Sequence, residues 1–462
     1  MTKQFDVVNP ATEEVIAQVP DTGKDEWLAA LGRAVDAQSA WGEFSPRERA
    51  EVLRAVYEKI TARTDEFART MTQEMGKPLA EAKGEVAYGA EYFRWFAEEA
   101  VRIPGRAGRA PGGNGDMVIT RAPAGPVLAI TPWNFPLAMA TRKIAPAMAA
   151  GCPIVVKPAA ETPLTMLLVA DVIGEAVAEA GGPKDLMQIL TTTDSAGLSE
   201  TLMADERLRK ITFTGSTAVG KILVKQSADN LLRTSMELGG NAPFLVCEDA
   251  DLDLVLDCAM QAKMRNGGEA CIAANRFIVH ESLAEEFTER LTQRMAEVKM
   301  GNGLEEGVTL GPMITAKQRD SIAALVDDAR GAGATVHLGG EVPQGEGYFY
   351  PATVLGDVPS NARILREEIF GPVATVTTFA TLEEGIAAAN DTEFGLAAYG
   401  FSENVHTCRR LAEELKAGMV GINRGAISDA AAPFGGIKQS GFGREGGAEG
   451  IEEYLDVKYL AL

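Results

Sequence analysis

From Val127 onward, short apolar runs of β character alternate with helical stretches: Val127–Thr131, Leu137–Ala150, Ile154–Lys157, Pro163–Ala180, Leu186–Leu190, Ile211–Thr214 and the helix opened by Ser216. Runs this short and this uniformly apolar belong to strands buried on both faces, and strand–helix units of this length can only be closed by crossover connections. The pattern predicts parallel sheets with helices on both sides. A second such series starts near Ala242, with strands at Phe244–Val246 and Phe277–His280, a helix near Leu252–Lys263 and another running to Met300. The expected architecture is therefore α/β, with two doubly wound domains. Residues 25–103 read as mostly helical, residues 104–116 as a Gly/Pro/Arg-rich loop, and the tail alternates from Tyr454 like a strand in need of a partner edge.

The chain has 462 residues, enough for about three domains. With 65 acidic and 44 basic residues its net charge is −21, which disfavours nucleic acid and anionic membranes as partners, since both select a basic face. The longest uncharged stretch, 122–141, contains four prolines and Asn134, so it is rejected as a membrane helix. The first residues lack the basic and apolar regions of a signal peptide. Five scattered cysteines without a CxxC pattern suit reduced thiols in a cytoplasm, and three scattered histidines give no metal site.

Four cysteines read as small buried hydrophobes: Cys258 and Cys408 in helical patterns, Cys247 and Cys152 beside strands. Cys271 differs. It follows Asn266-Gly267-Gly268-Glu269-Ala270, outside any clean periodicity, where paired glycines allow close backbone approach. Local context leaves a nucleophile and a structural thiol both open. Glu237 ends a probable strand before Gly239-Gly240, where α/β sheets place ligands, and a partly desolvated carboxylate there could act as a base; a solvated strand-end Glu is the competing reading. Gly215 and Ser216 join a strand to a helix, so Ser216 can cap that helix and leave its amides for a phosphate, or simply cap it. In Pro132-Trp133-Asn134-Phe135-Pro136, Asn134 offers a neutral amide donor of oxyanion-hole type, and Pro136 stands where a helix could begin. Lys157, at a strand's end, can reach ribose hydroxyls or a phosphate, or lie along the surface.

Taken together, PWNFP at Pro132, KPA at Lys157, FTGST at Phe213, ELGG at Glu237, NGGEAC ending at Cys271, GPMI at Gly311, EEIFGPV at Glu367 and PFGGIKQSGFGRE at Pro433 resemble the aldehyde dehydrogenase superfamily, in its order and over essentially the whole chain. The resemblance implies an aldehyde-dehydrogenase-like fold with two Rossmann-like domains and a small β oligomerisation arm. It places the dinucleotide-binding domain at 1–103 and 124–240, the catalytic domain at 241–430, and the arm at 104–123 and 443–462. It implies Cys271 as the nucleophile, Asn134 with the Cys271 amide as the oxyanion hole, and Glu237 as the base that hydrolyses the thioester. The coenzyme would be held by Trp133, Lys157, Gly215, Ser216, Glu368 and Phe370. Within the superfamily the chain looks most like succinate-semialdehyde dehydrogenases, which implies Arg142, Arg265 and Ser428 as carboxylate ligands. The alternatives are a glutarate-semialdehyde or other short-aldehyde enzyme, a CoA-acylating relative, which the Glu237 base argues against, and a non-catalytic protein on the same fold. Ala160, where NAD-preferring relatives often carry Glu, leans the coenzyme toward NADP over NAD. Ala273, where some relatives carry a second cysteine, removes the local redox switch. Glu269 replaces the usual Gln and is expected to point away from Cys271. A homodimer or homotetramer is expected, with Met117–Arg121 and the tail strand at the exchanged edge.

Overall fold

The computed structural model describes residues 3–462. Strands β1 (Gln4–Val8) and β2 (Val15–Pro20) form an antiparallel hairpin, which the sequence reading had not singled out. Four helices follow, Lys24–Gly42, Pro46–Ala62, Thr64–Met75 and Leu79–Ala100, as the apolar stripes predicted. The Gly/Pro/Arg-rich stretch then contains β3 (Arg106–Arg109), which turns back into β4 (Asp116–Pro123).

The first parallel series is β5 (Val127–Ile130), β6 (Ile154–Lys157), β7 (Met187–Ile189), β8 (Lys210–Thr214) and β9 (Arg233–Glu237). The second is β10 (Ala242–Val246), β11 (Ala274–His280), β12 (Thr335–Leu338), β13 (Thr353–Gly356), β14 (Val373–Phe379), β15 (Ala397–Phe401) and β16 (Met419–Ile422). The chain then returns: β17 (Gly441–Phe442) pairs with β9, and β18 (Leu455–Ala461) pairs with β4. The result is a six-stranded sheet in the order β17-β9-β8-β5-β6-β7 and a seven-stranded sheet in the order β12-β13-β14-β11-β10-β15-β16. A three-stranded sheet, β18-β4-β3, completes the set with the hairpin. Both large sheets are parallel except at one edge, where β17 and β12 run antiparallel.

Each large sheet is doubly wound. Apolar side chains of β5 and β6 pack on one face against the helices Pro46–Ala62, Leu79–Ala100, Ala138–Ala150 and Leu164–Glu179, and on the other against Lys24–Gly42 and Ser195–Met203. β10 and β11 are likewise covered by Leu252–Met264 and Glu281–Ala296 on one side and by Leu382–Asn390 and Val405–Glu414 on the other. Residues between β17 and β18 join the first core: Ile451 and Tyr454 are buried against the helix Leu79–Ala100 and its neighbours. Among the described residues no helix is long and apolar enough to cross a membrane.

Candidate active site

Because β5, β6, β8 and β9 are parallel, their carboxyl ends share one edge of the first sheet. That edge carries the Trp133-Asn134 loop after β5, Lys157 at the end of β6, Gly215-Ser216 after β8 and Glu237 at the end of β9. The helix Thr217–Ser227 begins at Ser216, whose Oγ accepts from Val219 N at 3.4 Å, so the capping expected from sequence is present and the first-turn amides face the edge. The helix after the Asn134 loop begins at Ala138 and not at Pro136. Its cap is not local: Glu85, from the helix Leu79–Ala100, accepts from Leu137 N at 2.9 Å and Ala138 N at 3.1 Å.

Cys271 lies just ahead of β11, at the amino edge of the second sheet, and so faces the carboxyl edge of the first. Close packing of backbone brings it there. A Cβ on Gly240 would run into the Cys271 carbonyl, and one on Gly239 would sit 2.9 Å from Glu368 Oε2. Close approach, not a left-handed turn, is what this glycine pair supplies. The glycines before the thiol do the reverse: Asn266, Gly267 and Gly268 all have positive φ (54°, 62° and 77°), forming a left-handed run that turns the chain out of the helix Leu252–Met264.

The thiol is flanked by two cavities. One, of about 480 Å³, is lined by Trp133, Asn134, Gly215, Ser216, Glu368 and Phe370 together with Cys271 itself. In it the Trp133 and Phe370 rings meet edge-on, 5.3 Å apart, and Glu368 Oε1 accepts from Gly240 N at 2.9 Å. Burial pushes the Glu368 carboxyl up to about 7, against the pull of that amide and of the Lys263 ammonium. Lys157 is buried and its Nζ has no hydrogen-bond partner among the described residues; burial lowers its pKa, and the neighbouring Glu161 opposes this. The second cavity, of about 720 Å³, is lined by Ala270 and Ile272 on either side of the thiol, and by Arg265, Ser428, Tyr88 and Glu81. Arg265 makes no ion pair among the described residues. Its guanidinium lies over the rings of Phe135 and Tyr88, at 5.1 and 5.5 Å.

Arg142 does not line this second cavity. It is fully buried on the helix Ala138–Ala150, with Nε on the Glu445 carboxylate and its plane over Phe434 at 4.3 Å, while Nη1 and Nη2 have no partner. Lys143 beside it holds the other Glu445 oxygen and Thr214 Oγ1, the latter at 2.7 Å. Glu237 is 2% exposed, deeper than the partly desolvated carboxylate the sequence suggested, and neither of its oxygens has a partner. Burial and the nearby Glu445 carboxylate drive its pKa far up, while Arg142 and Lys143 pull it down. Burial also pushes the half-buried Cys271 thiol up to about 12, Arg142 opposing and Glu368 and Glu237 adding.

Asn134 Nδ2 donates to the Glu269 carbonyl at 2.9 Å, which fixes the amide plane and leaves the second N–H of the same nitrogen uncommitted. The Glu269 carboxyl faces Ile314 N, at 3.4 Å, with Lys77 and Glu81 nearby. All five cysteines are free. Among the described residues no cluster of three metal-ligating side chains occurs. The sequence reading missed Glu445, Lys143 and Lys77. Their signal is weak but present: cations on an otherwise apolar helix (Lys143) or just before one (Lys77) must find buried acids.

Two Rossmann-like sheets meeting edge to edge over a thiol, with a helix amino end and an unpaired lysine on one side, make the arrangement of an NAD(P)-dependent dehydrogenase. The chain belongs to the aldehyde dehydrogenase family, whose model matches residues 1–460. It is 53% identical over 448 residues, 97% of this chain and 99% of the relative, to a succinate-semialdehyde dehydrogenase of Paenarthrobacter nicotinovorans. It is 46% identical over 459 residues, 99% of this chain and 93% of the relative, to a glutarate-semialdehyde dehydrogenase of Pseudomonas putida. The crystal structure of an E. coli NADP-dependent enzyme superposes with a TM-score of 0.97 at 43% identity, over 100% of this chain and 95% of that one.

Proposed function

We propose that the protein oxidises succinate semialdehyde to succinate with NADP⁺, through a thiohemiacetal and a thioester on Cys271. The observation that carries the substrate reading is Arg265. In a chain of net charge −21 this guanidinium forms no ion pair among the described residues, although Glu81 lies in the same cavity, which it shares with Ser428 and which is floored by the neighbours of the thiol. A fixed fork of N–H donors beside a hydroxyl is a carboxylate receptor waiting for its ligand. Arg142, expected as a second carboxylate ligand, does not share that cavity: it is fully buried and paired with Glu445, so the receptor reading rests on Arg265 and Ser428.

On the coenzyme side, Lys157, the amides behind Ser216 and the Glu368 carboxyl suit the riboses and pyrophosphate of a dinucleotide, and the unpartnered Lys157 ammonium is the structural sign of that fit. Ala160, where a carboxylate would repel a 2′-phosphate, supports NADP over NAD. When bound, the coenzyme accepts a hydride from the substrate carbon. The chain's own residues do the rest. The Cys271 sulfur, once deprotonated, attacks the aldehyde carbon, and the free Asn134 N–H and the Cys271 amide stabilise the oxyanion that forms. Loss of hydride leaves a thioester. Glu237, a buried carboxyl with both oxygens unpartnered, takes in its ionised form, which the Arg142 and Lys143 charges favour, the proton of the water that hydrolyses it.

The 46% identity to a glutarate-semialdehyde enzyme makes the next longer ω-carboxy aldehyde the second reading. A panel of aldehydes matched with and without an ω-carboxylate, run with both coenzymes, tests both: highest kcat/KM is expected for succinate semialdehyde with NADP⁺, and a neutral aldehyde that outruns it refutes the reading. Domain roles follow: residues 1–103 and 124–240 hold the coenzyme, 241–430 present the thiol, and 104–123 with 443–462 include the arm. The outer edge of β18 and that of β16 pair with no strand of this chain among the described residues, and Val457 and Tyr459 are exposed, which supports a homodimer or homotetramer joined through the arm. Five free thiols suit a cytoplasmic setting.

A further inference from the structure

Asn134 and Cys271 belong to different sheets, 137 residues apart in the chain, and an oxyanion hole fails if they drift by an ångström. The turn Gly76-Lys77-Pro78 and the helix Leu79–Ala100 reach Asn134 itself and the run that leads to Cys271. Lys77 Nζ donates to the Asn134 carbonyl at 2.8 Å and forms a buried ion pair with Glu85. Glu85 in turn caps the helix that continues the Asn134 loop. One turn earlier, Glu81 accepts from Asn266 N at 2.8 Å, on the strained run that leads to the thiol. Asn266 Nδ2 closes the circuit, donating to the Asn134 carbonyl at 2.9 Å and to the Glu269 carbonyl at 3.1 Å.

The turn itself is pinned from the second half of the chain. Leu79 N donates to the Gly303 carbonyl at 2.9 Å. A Cβ on Gly303 would sit 2.5 Å from the Lys77 carbonyl, and one on Gly311 would strike the Gly76 carbonyl. Buried charge is expensive to maintain, and an apolar contact could join two loops at lower cost. What an ion pair with directed hydrogen bonds supplies is a fixed position.

We propose that Lys77, Glu81 and Glu85 form a positioning device that sets the Asn134 amide against Cys271, so that a part of the helical N-terminal region governs the acylation step. The inference rests on the reading of Cys271 as nucleophile and Asn134 as oxyanion donor. Lys77 and Glu85 are buried and act from behind the site, whereas Glu81 also lines the cavity shared with Arg265.

The test is a double variant, Lys77→Met with Glu85→Gln. It removes both buried charges together, so neither is stranded, and the new amide oxygen can still accept from Leu137 N. Expected are a fall in kcat of about tenfold to a hundredfold, a KM for NADP⁺ within about threefold of the parent, and a larger primary isotope effect on kcat with C1-deuterated succinate semialdehyde. A melting temperature near the parent's should accompany these. Asn134→Ala should show the same isotope signature. A folded double variant with kcat within about threefold of the parent overturns the proposal, as does a loss in which KM for NADP⁺ worsens in step with kcat. Should the double variant not fold, Glu81→Leu, which cuts the tie to Asn266 N and leaves the ion pair intact, decides on kcat and its isotope effect measured with a neutral aldehyde, because Glu81 also lines the cavity of Arg265; kcat within about threefold of the parent there overturns the proposal. Asn134→Ala with undiminished kcat would instead remove the underlying assignment, so the two failures are separable.

Discussion

Replacing Arg265 by Met separates carboxylate recognition from everything else the side chain does. The guanidinium has no ion pair to lose, and its contacts with the Phe135 and Tyr88 rings can be kept in part by the thioether. What disappears is the charged donor. A hydrogen bond to a charged group contributes about 1.5–3 kcal/mol. At about 1.4 kcal/mol per decade that predicts a fall in kcat/KM for succinate semialdehyde of about tenfold to 150-fold, most of it in KM. The residue is half-buried, so solvent screening favours the lower end. For 4-methylpentanal, which keeps the shape and lacks the charge, the change should stay within about threefold. The assay is initial-rate NADPH absorbance with both aldehydes on both proteins. Equal losses on the two aldehydes, or a loss under threefold on the semialdehyde, would refute the receptor assigned to Arg265 and Ser428.

Three further outcomes are expected. Glu237→Gln should release close to one equivalent of NADPH per active site in a burst and then stall at the thioester; steady turnover above about a tenth of the parent rate would contradict its role as hydrolytic base. Ala160→Glu should lower kcat/KM for NADP⁺ by about tenfold or more while sparing NAD⁺, since a carboxylate would then face the 2′-phosphate; an unchanged coenzyme ratio places that phosphate elsewhere. Glu74, buried while accepting from Leu164 N and Thr165 N, has its carboxyl raised to about 7, chiefly by burial. Its folded value lies above the unfolded one. Protons are therefore retained by the folded state between pH 4.5 and 7, and its contribution, on the order of 3 kcal/mol, is complete below that window and lost as pH rises through it. Urea midpoints from pH 5 to 8 should show this slope, and Glu74→Gln should flatten it; an unaltered slope in the variant counts against the assignment.

The sequence alone determined the periodicity and hence the sheets. Apolar runs such as Ile154–Val156 and Phe244–Val246 have no polar face to offer solvent, so parallel strands between helices were the one way to bury them. It also narrowed the chemistry to candidates, because one cysteine sat outside any packing pattern and Ser216 stood where a helix cap fits, while leaving nucleophile and structural thiol both open. The eight motifs then assigned the family, which the comparison with known proteins supports over residues 1–460. Tertiary structure alone decided how deep each group lies and what it faces. Glu237 was legible as a strand-end carboxylate, but only the folded chain shows that both its oxygens lack a hydrogen-bond donor and that β17 returns from residue 441 to pair beside it. Arg142 and Arg265 were equivalent in sequence terms; one became a buried partner of Glu445 and the other remained free in a cavity. Nor could spacing reveal that Glu85 caps a helix 52 residues away. Periodicity is a local property that each segment carries with it, whereas burial, pairing and proton affinity are set by neighbours that only the folded chain brings together.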